Sequence, residues 1–93
     1  MSYPAEQRAS EILQHLGREL PDAQLEYEQM SAIHKFVIRH ACLIYSLTIS
    51  DWLLRTTTRE ELMRTIAPVV DRVLLGIAPH RICVGVWGAY ATV

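Results

Sequence analysis

The sequence has no uncharged hydrophobic run long enough to cross a membrane. Its most apolar stretch, residues 36–54, is interrupted by Arg39, His40 and Asp51, whereas a membrane-spanning helix needs ~20 nearly uncharged residues. The first residues contain no apolar segment of the kind found in signal peptides, and Glu6 comes early, so export is not expected. We therefore expect a cytoplasmic protein without membrane contact.

Lysine is nearly absent, because Lys35 is the only one and the other basic side chains are arginines. The formal net charge is −1, and no basic patch stands out that would attract a phosphate backbone. A DNA-reading third helix would have to carry Glu60, Glu61 and Asp71, which make a poor face for the major groove. We therefore expect no direct contact with nucleic acid.

The number and spacing of the cysteines and histidines do not fit a disulfide framework, a metal site or a catalytic pair. Cys42 and Cys83 are the only cysteines, which predicts buried, reduced thiols rather than a disulfide framework. His34 and His40 would lie on different faces of a helix, unlike a pair of metal ligands. His40 and Cys42 do not face each other as a base and its nucleophile would. We predict no metal, no cofactor and no catalytic residue, and hence a protein that is not an enzyme.

About half of the 93 residues are apolar, which is enough for one domain with a real core. Residues 4–20 predict an amphipathic helix that begins with Pro4 in its first turn and ends before Pro21. Its apolar residues recur at three- and four-residue spacing. They are Ala5, Ala9, Ile12, Leu13, Leu16 and Leu20.

We interpret residues 22–54 as one long helix that is apolar around most of its circumference, and such a helix must be buried on several sides. The alternative breaks this helix near His40 and makes residues 43–49, LIYSLTI, a strand, because they are rich in β-branched and aromatic side chains. A strand would need turn residues on both sides. Between Asp22 and Gly76 the only proline is Pro68 and there is no glycine, so the helix is preferred.

A capping box marks the start of the third helix, either Thr57 with Glu60 or Thr58 with Glu61. The helix is predicted over residues 59–75, with a kink or a split at Pro68 and a C-cap at Gly76. Residues 81–93 then read as a strand. Because no second strand is predicted, its backbone partner should come from a symmetry mate or from a target.

Together these elements predict a single mainly α domain over residues 1–93, with three helices and a C-terminal strand. The surplus of apolar surface predicts a homodimer. Its interface residues are expected among the large apolar and aromatic side chains of the central helix and the tail. These are Phe36, Leu43, Ile49, Trp52, Leu54, Trp87 and Tyr90.

In its whole-chain layout the sequence resembles the small dimeric QslA-like antiactivators, bacterial proteins that silence quorum-sensing transcription factors. The resemblance rests on length, on the opening amphipathic helix SYPAEQRASEILQHLGREL, on the long apolar helix predicted around KFVIRHACLIYSLTISDWLL and on the lack of an active site. It implies binding to the ligand-binding domain of a LuxR-type regulator, in competition with that regulator's own dimerisation. The alternatives are an adaptor or structural subunit of a larger assembly and a small DNA-associated regulator.

Overall fold

The computed structural model of the protein describes residues 4–77, 81–85 and 88–92. They form, in chain order, α1 (Ala5–Glu19), β1 (Gln24–Met30), β2 (Ile33–His40), β3 (Leu43–Ser50), α2 (Asp51–Thr56), α3 (Arg59–Leu75), β4 (Arg81–Gly85) and β5 (Gly88–Thr92). The strands make one mixed sheet in the order β1-β2-β3-β4-β5. Neighbouring strands are antiparallel except β3 and β4, which are parallel.

The prediction of a mainly helical domain with a long central helix is wrong. Residues 24–50 form three antiparallel strands, and the alternative that placed a strand at residues 43–49 is confirmed. Burial in β2 and β3 alternates residue by residue, with Phe36 and Ile38 buried in one and Leu47 and Ile49 in the other. Apolar residues that seemed to surround a helix therefore lie on the two faces of a sheet.

The turns between these strands show why no turn signal was recognised. Ser31 and Ala32 join β1 to β2, and Ala41 and Cys42 join β2 to β3. Two-residue hairpin loops need positive φ angles, which usually select glycine or asparagine. Here Ser31 (φ 45°), Ala41 (φ 50°) and Cys42 (φ 68°) adopt them instead, and each such residue costs roughly 1–2 kcal/mol.

The first and third predicted helices are confirmed. Pro4 is the N-cap of α1, and the Thr58 hydroxyl accepts a hydrogen bond from the Glu61 N–H at the start of α3. Gly76 ends α3 in the left-handed conformation, at φ 65°. Glycine adopts this conformation easily because it has no Cβ atom. α3 continues through Pro68 as one helix, so it is not split there, and the kink stays a prediction.

The C-terminal segment is not a lone strand, so the prediction that its backbone pairs outside the protomer is wrong. β4 pairs in parallel with β3, and β5 pairs with β4. Ile82 and Val84 of β4 are buried in the core. The crossover through α2 and α3 allows β4 to reach β3 in parallel.

All three helices lie on one side of the sheet, since α1 contacts α2 and α3 and the crossover passes on that side. The core fills the space between this helical layer and the sheet. Its buried apolar residues are Ala5, Ala9, Ile12, Leu16, Leu20, Phe36, Ile38, Tyr45, Leu47, Ile49, Leu54, Leu62, Ile66, Val69, Val70, Val73, Ile82 and Val84. Within the described residues, the opposite face of the sheet has no layer over it.

The turn at Ala41–Cys42 offers a test of the fold. The double variant Ala41→Asn/Cys42→Gly should raise the free energy of unfolding by about 1 kcal/mol, because Asn-Gly adopts this turn with little strain. Urea unfolding followed by circular dichroism measures the change. Gln7→Gly is the control, because Gln7 is exposed inside α1 and a glycine there should lower the free energy of unfolding by about 1 kcal/mol. A destabilised turn variant would contradict the hairpin.

Candidate functional site

A chain of four side chains links the edge strand β1 to α2 through the core. The Tyr27 hydroxyl lies 2.6 Å from Nδ1 of His34, and Nε2 of His34 lies 2.7 Å from Oδ1 of Asp51. The other carboxylate oxygen of Asp51 accepts a hydrogen bond from Nε of Arg55 at 2.6 Å. His34 is fully buried, so its two ring nitrogens need these partners.

The chemistry of the partners decides which nitrogen donates to Asp51. A carboxylate only accepts hydrogen bonds, so Nε2–H of His34 donates to Asp51. Nδ1 is then the acceptor for the Tyr27 hydroxyl if the imidazole is neutral. In this arrangement both ring nitrogens are satisfied without burying an extra charge.

The hydrogen bonds from His34 and Arg55 lower the pKa of Asp51 below its usual value. The pKa of Tyr27 is raised, first by burial and then by the negative charges of Glu6 and Asp51. A raised pKa keeps the Tyr27 phenol protonated and makes it a poor nucleophile or base. The order carboxylate, imidazole, hydroxyl resembles a catalytic triad, but its chemistry favours a structural role.

The second feature is the side of the sheet that faces away from the helices, here called the outer face. Strand register places its residues in rows across the sheet, such as Glu28, Lys35, Thr48 and Cys83. Every residue of the outer face is exposed or half-buried. The outer face consists of Gln24, Glu26, Glu28, Met30, Ile33, Lys35, Val37, Arg39, Ile44, Ser46, Thr48, Ser50, Arg81 and Cys83.

Charge on the outer face is sorted by strand. β1 carries the acids Glu26 and Glu28, β2 carries Lys35 and Arg39, and β4 carries Arg81. β3 contributes no charge to this face, only hydroxyls and Ile44. Glu26 and Arg39 form an exposed ion pair at 3.6 Å, which contributes little to stability by itself.

Apolar side chains lie at both ends of the outer face. Met30 and Ile33 are 43% and 42% exposed at one end, and Ile44 is 54% exposed at the other. Between them Val37 and Cys83 are half-buried. A shallow cavity on this face includes Met30, Ile33 and Cys83 in its lining. Exposed apolar groups that interrupt a charged surface are typical of contact sites.

Of the predicted interface residues in the centre of the chain, three are buried, one is half-buried and one is exposed. Phe36, Ile49 and Leu54 are at most 1% exposed, so they have no surface to offer a partner, and the prediction that they form an interface is not compatible with this fold. Leu43 is half-buried at the start of β3, and its side chain lies near Gly76. Trp52 is 62% exposed on α2.

The two aromatic residues of the tail cannot be placed in the same way. Trp87 lies outside the described residues, as does the side chain of Tyr90, whose backbone pairs with Cys83. The cysteines differ from prediction, because Cys42 is exposed and Cys83 is half-buried. Both are free thiols.

Sequence reasoning missed His34 and the outer face. Asp51 and Arg55 are four residues apart on α2 and form an ion pair at 2.6 Å, a spacing at which side chains of a helix face each other. His34 is 17 residues from Asp51, and such a contact carries no local signal. The outer face is also invisible in a short window, since its members come from four strands.

In the described part of the chain, no helix has the length and apolar character to cross a membrane. The same residues contain no group of three or more histidine, cysteine or acidic side chains that could hold a metal ion. Compared with protein-family models, curated proteins and solved structures, the chain matches none. Its function is therefore inferred from its geometry.

The hydrogen-bonded chain can be tested by removing its middle. His34→Leu should lower the free energy of unfolding by about 1–3 kcal/mol, because it leaves polar groups of Tyr27 and Asp51 without partners. Tyr27→Phe, which removes one hydroxyl, should cost about 1 kcal/mol. His40→Leu, at the half-buried end of β2, is the matched control and should change stability by less than about 0.5 kcal/mol. Equal losses in the two histidine variants would contradict the role of His34.

Lowering the pH should weaken the same row of hydrogen-bonded side chains. Because the folded-state pKa of Asp51 lies below its unfolded value of about 3.9, its contribution is present above that pH and is lost as pH falls through the folded pKa. Asp51→Asn keeps an oxygen that can accept from His34 but cannot titrate. The stability difference between wild type and Asp51→Asn, measured by urea unfolding from pH 6 to pH 3, should shrink on acidification. A constant difference would contradict the depressed pKa.

Proposed function

We propose that the protein is a non-enzymatic protein-interaction module that binds its partner through the outer face. The observation that supports this most is an uncovered sheet face on which apolar side chains and sorted charges occur together. The solvent-facing side of an antiparallel sheet is normally polar. Here Met30, Ile33 and Ile44 remain exposed on it, and their burial would be favourable in a complex.

The charges of the outer face add specificity to this apolar contact. Acidic β1 lies beside basic β2, with Arg81 farther along the sheet. Neighbouring strands of opposite charge orient a partner of matching charge and disfavour proteins that carry a different charge pattern. Arginine is also enriched in interfaces, and Arg39 and Arg81 are both exposed here.

Other exposed apolar groups are less well suited to a contact site. Trp52 is the large exposed apolar side chain of α2. Leu74 and Leu75 are exposed together at the end of α3, without a sorted charge pattern around them in the sequence. A single exposed apolar residue such as Trp52 is common on protein surfaces, and the outer face is the better candidate because it combines exposed apolar side chains with sorted charges.

The narrower proposal is an antiactivator that binds a LuxR-type regulator and blocks its dimerisation or DNA binding. Its support is the layout of the chain, in which the opening helix is present as α1. The long apolar helix that the resemblance assumed over residues 35–54 is absent, since these residues form strands and a short helix, so that part of the resemblance is wrong. The alternative within the same class is an adaptor or structural subunit of a larger assembly.

Surface-directed variants test the interaction module. Ile33→Asp and Ile44→Asp place a charge on the outer face at exposed positions, so the fold should persist while binding weakens at least tenfold. Leu75→Asp makes the same change on the exposed end of α3 and is the matched control. Affinity capture from the native host, followed by calorimetry with the purified partner, compares the four proteins. A partner that binds all variants equally would contradict the outer face as the site.

The antiactivator proposal needs a defined partner. The purified ligand-binding domain of a LuxR-type regulator is titrated with wild-type protein and with Ile33→Asp. Saturable binding that Ile33→Asp loses supports the antiactivator. If the regulator does not bind while another captured protein depends on Ile33, the adaptor alternative is favoured.

A further inference from the structure

We propose that the outer face is the interface of a homodimer, with two copies stacked face to face about a two-fold axis that runs along the strands between β2 and β3. This rests on the proposed function, since it names a second copy of the chain as the occupant of the outer face. It differs from a dimer formed through a helix, because the large apolar residues of the centre of the chain are in the core.

Pairing of two copies through the open edge of β1 is opposed by charge. Two-fold antiparallel pairing keeps outer-face residues opposite outer-face residues. Any register that overlaps most of β1 then sets Glu26 or Glu28 directly opposite the same acids of the second copy. Like charges in directly opposite positions destabilise a pair of strands, and charged edges are a known defence against such pairing.

Face-to-face stacking has two simple two-fold arrangements, and charge separates them. An axis across the strands would place β1 over β1, so acids would again meet acids. An axis along the strands, between β2 and β3, places β1 over the second copy's β4 and β2 over its β3. The strand axes of the two sheets then lie along one line, as they do in aligned sheet packing, with β1 parallel to the second copy's β4 and β2 antiparallel to its β3.

The second arrangement brings opposite charges together. Glu26, Val37, Ser46 and Arg81 occupy one row of the sheet. Reversing this row about the axis sets Glu26 over the second copy's Arg81, and symmetry repeats the pair. Val37 then faces Ser46 close to the axis, where it leaves water. This row is thus complementary to itself in this orientation.

The outer face is also large enough for a dimer. Its strands are 5 to 8 residues long. With ~3.3 Å per residue and ~4.8 Å between strands, the face spans roughly 20 by 25 Å, or about 500 Å² in projection. The relief of the side chains adds to this figure. A standard interface takes about 800 Å² of accessible surface from each partner, so the face is of comparable size.

A charge exchange tests the orientation. Sedimentation equilibrium of the wild-type chain should show a dimer at micromolar concentration. Glu26→Lys and Arg81→Glu should each weaken the dimer at least tenfold, because each sets like charges against each other. The double variant Glu26→Lys/Arg81→Glu should restore it. Glu60→Lys, on the exposed start of α3, is the control with the same charge change and should leave the dimer intact.

The outcomes separate this proposal from the broader one. Circular dichroism first shows that each variant is folded, since Glu26 also pairs with Arg39 within its own copy. A wild-type monomer at 100 μM, or a double variant that stays as weak as the single ones, would overturn the face-to-face dimer. If another protein still binds and Ile33→Asp abolishes that binding, the interaction module stands and the second copy does not. A dimer that is weakened by each single variant and restored by the double variant supports both the face-to-face dimer and the interaction module.

Discussion

The two nitrogens of one buried imidazole set the arrangement of the sheet against the helices. His34 lies in β2, and its partners come from the edge strand and from the start of α2. The Asp51 N–H also donates to the carbonyl oxygen of Ala32 in the first turn, so the backbone holds the same junction. Because an unmade bond to a buried polar group is expensive, β1, β2 and α2 have little freedom to move apart. The outer face is continuous only while these strands stay together.

The parts of the fold that could be predicted are those whose signals are local. α1 has a single apolar stripe, and α3 has a hydroxyl cap at Thr58 and a glycine at its end. The central strands could not be recognised in the same way. Their turns use Ser31, Ala41 and Cys42 at positive φ, so the sequence shows no glycine or asparagine there. Without visible turns, residues 22–54 were interpreted as one helix.

The candidate site was harder to predict from the sequence than the fold, because an interface was expected among the most apolar residues. Those residues fill the core, and Phe36 and Leu54 are examples. A contact surface in water is necessarily mixed in character, so its members, such as Glu26 and Ile44, look ordinary one at a time. Their common property is a position on one side of several strands, and that appears only when the register is known. The bond between Asp51 and Arg55 was predictable because both lie on one helical turn.

The parallel pairing of β3 with β4 has a consequence for the order in which the chain folds. β1, β2 and β3 are joined by two-residue turns and can pair as soon as they are synthesised. β3 then waits with an open hydrogen-bonding edge until residues 51–80 and β4 have left the ribosome, since only β4 covers that edge. An uncovered strand with Leu47 and Ile49 in it is a template for aggregation. The middle strand of the finished sheet is thus an edge strand in the nascent chain.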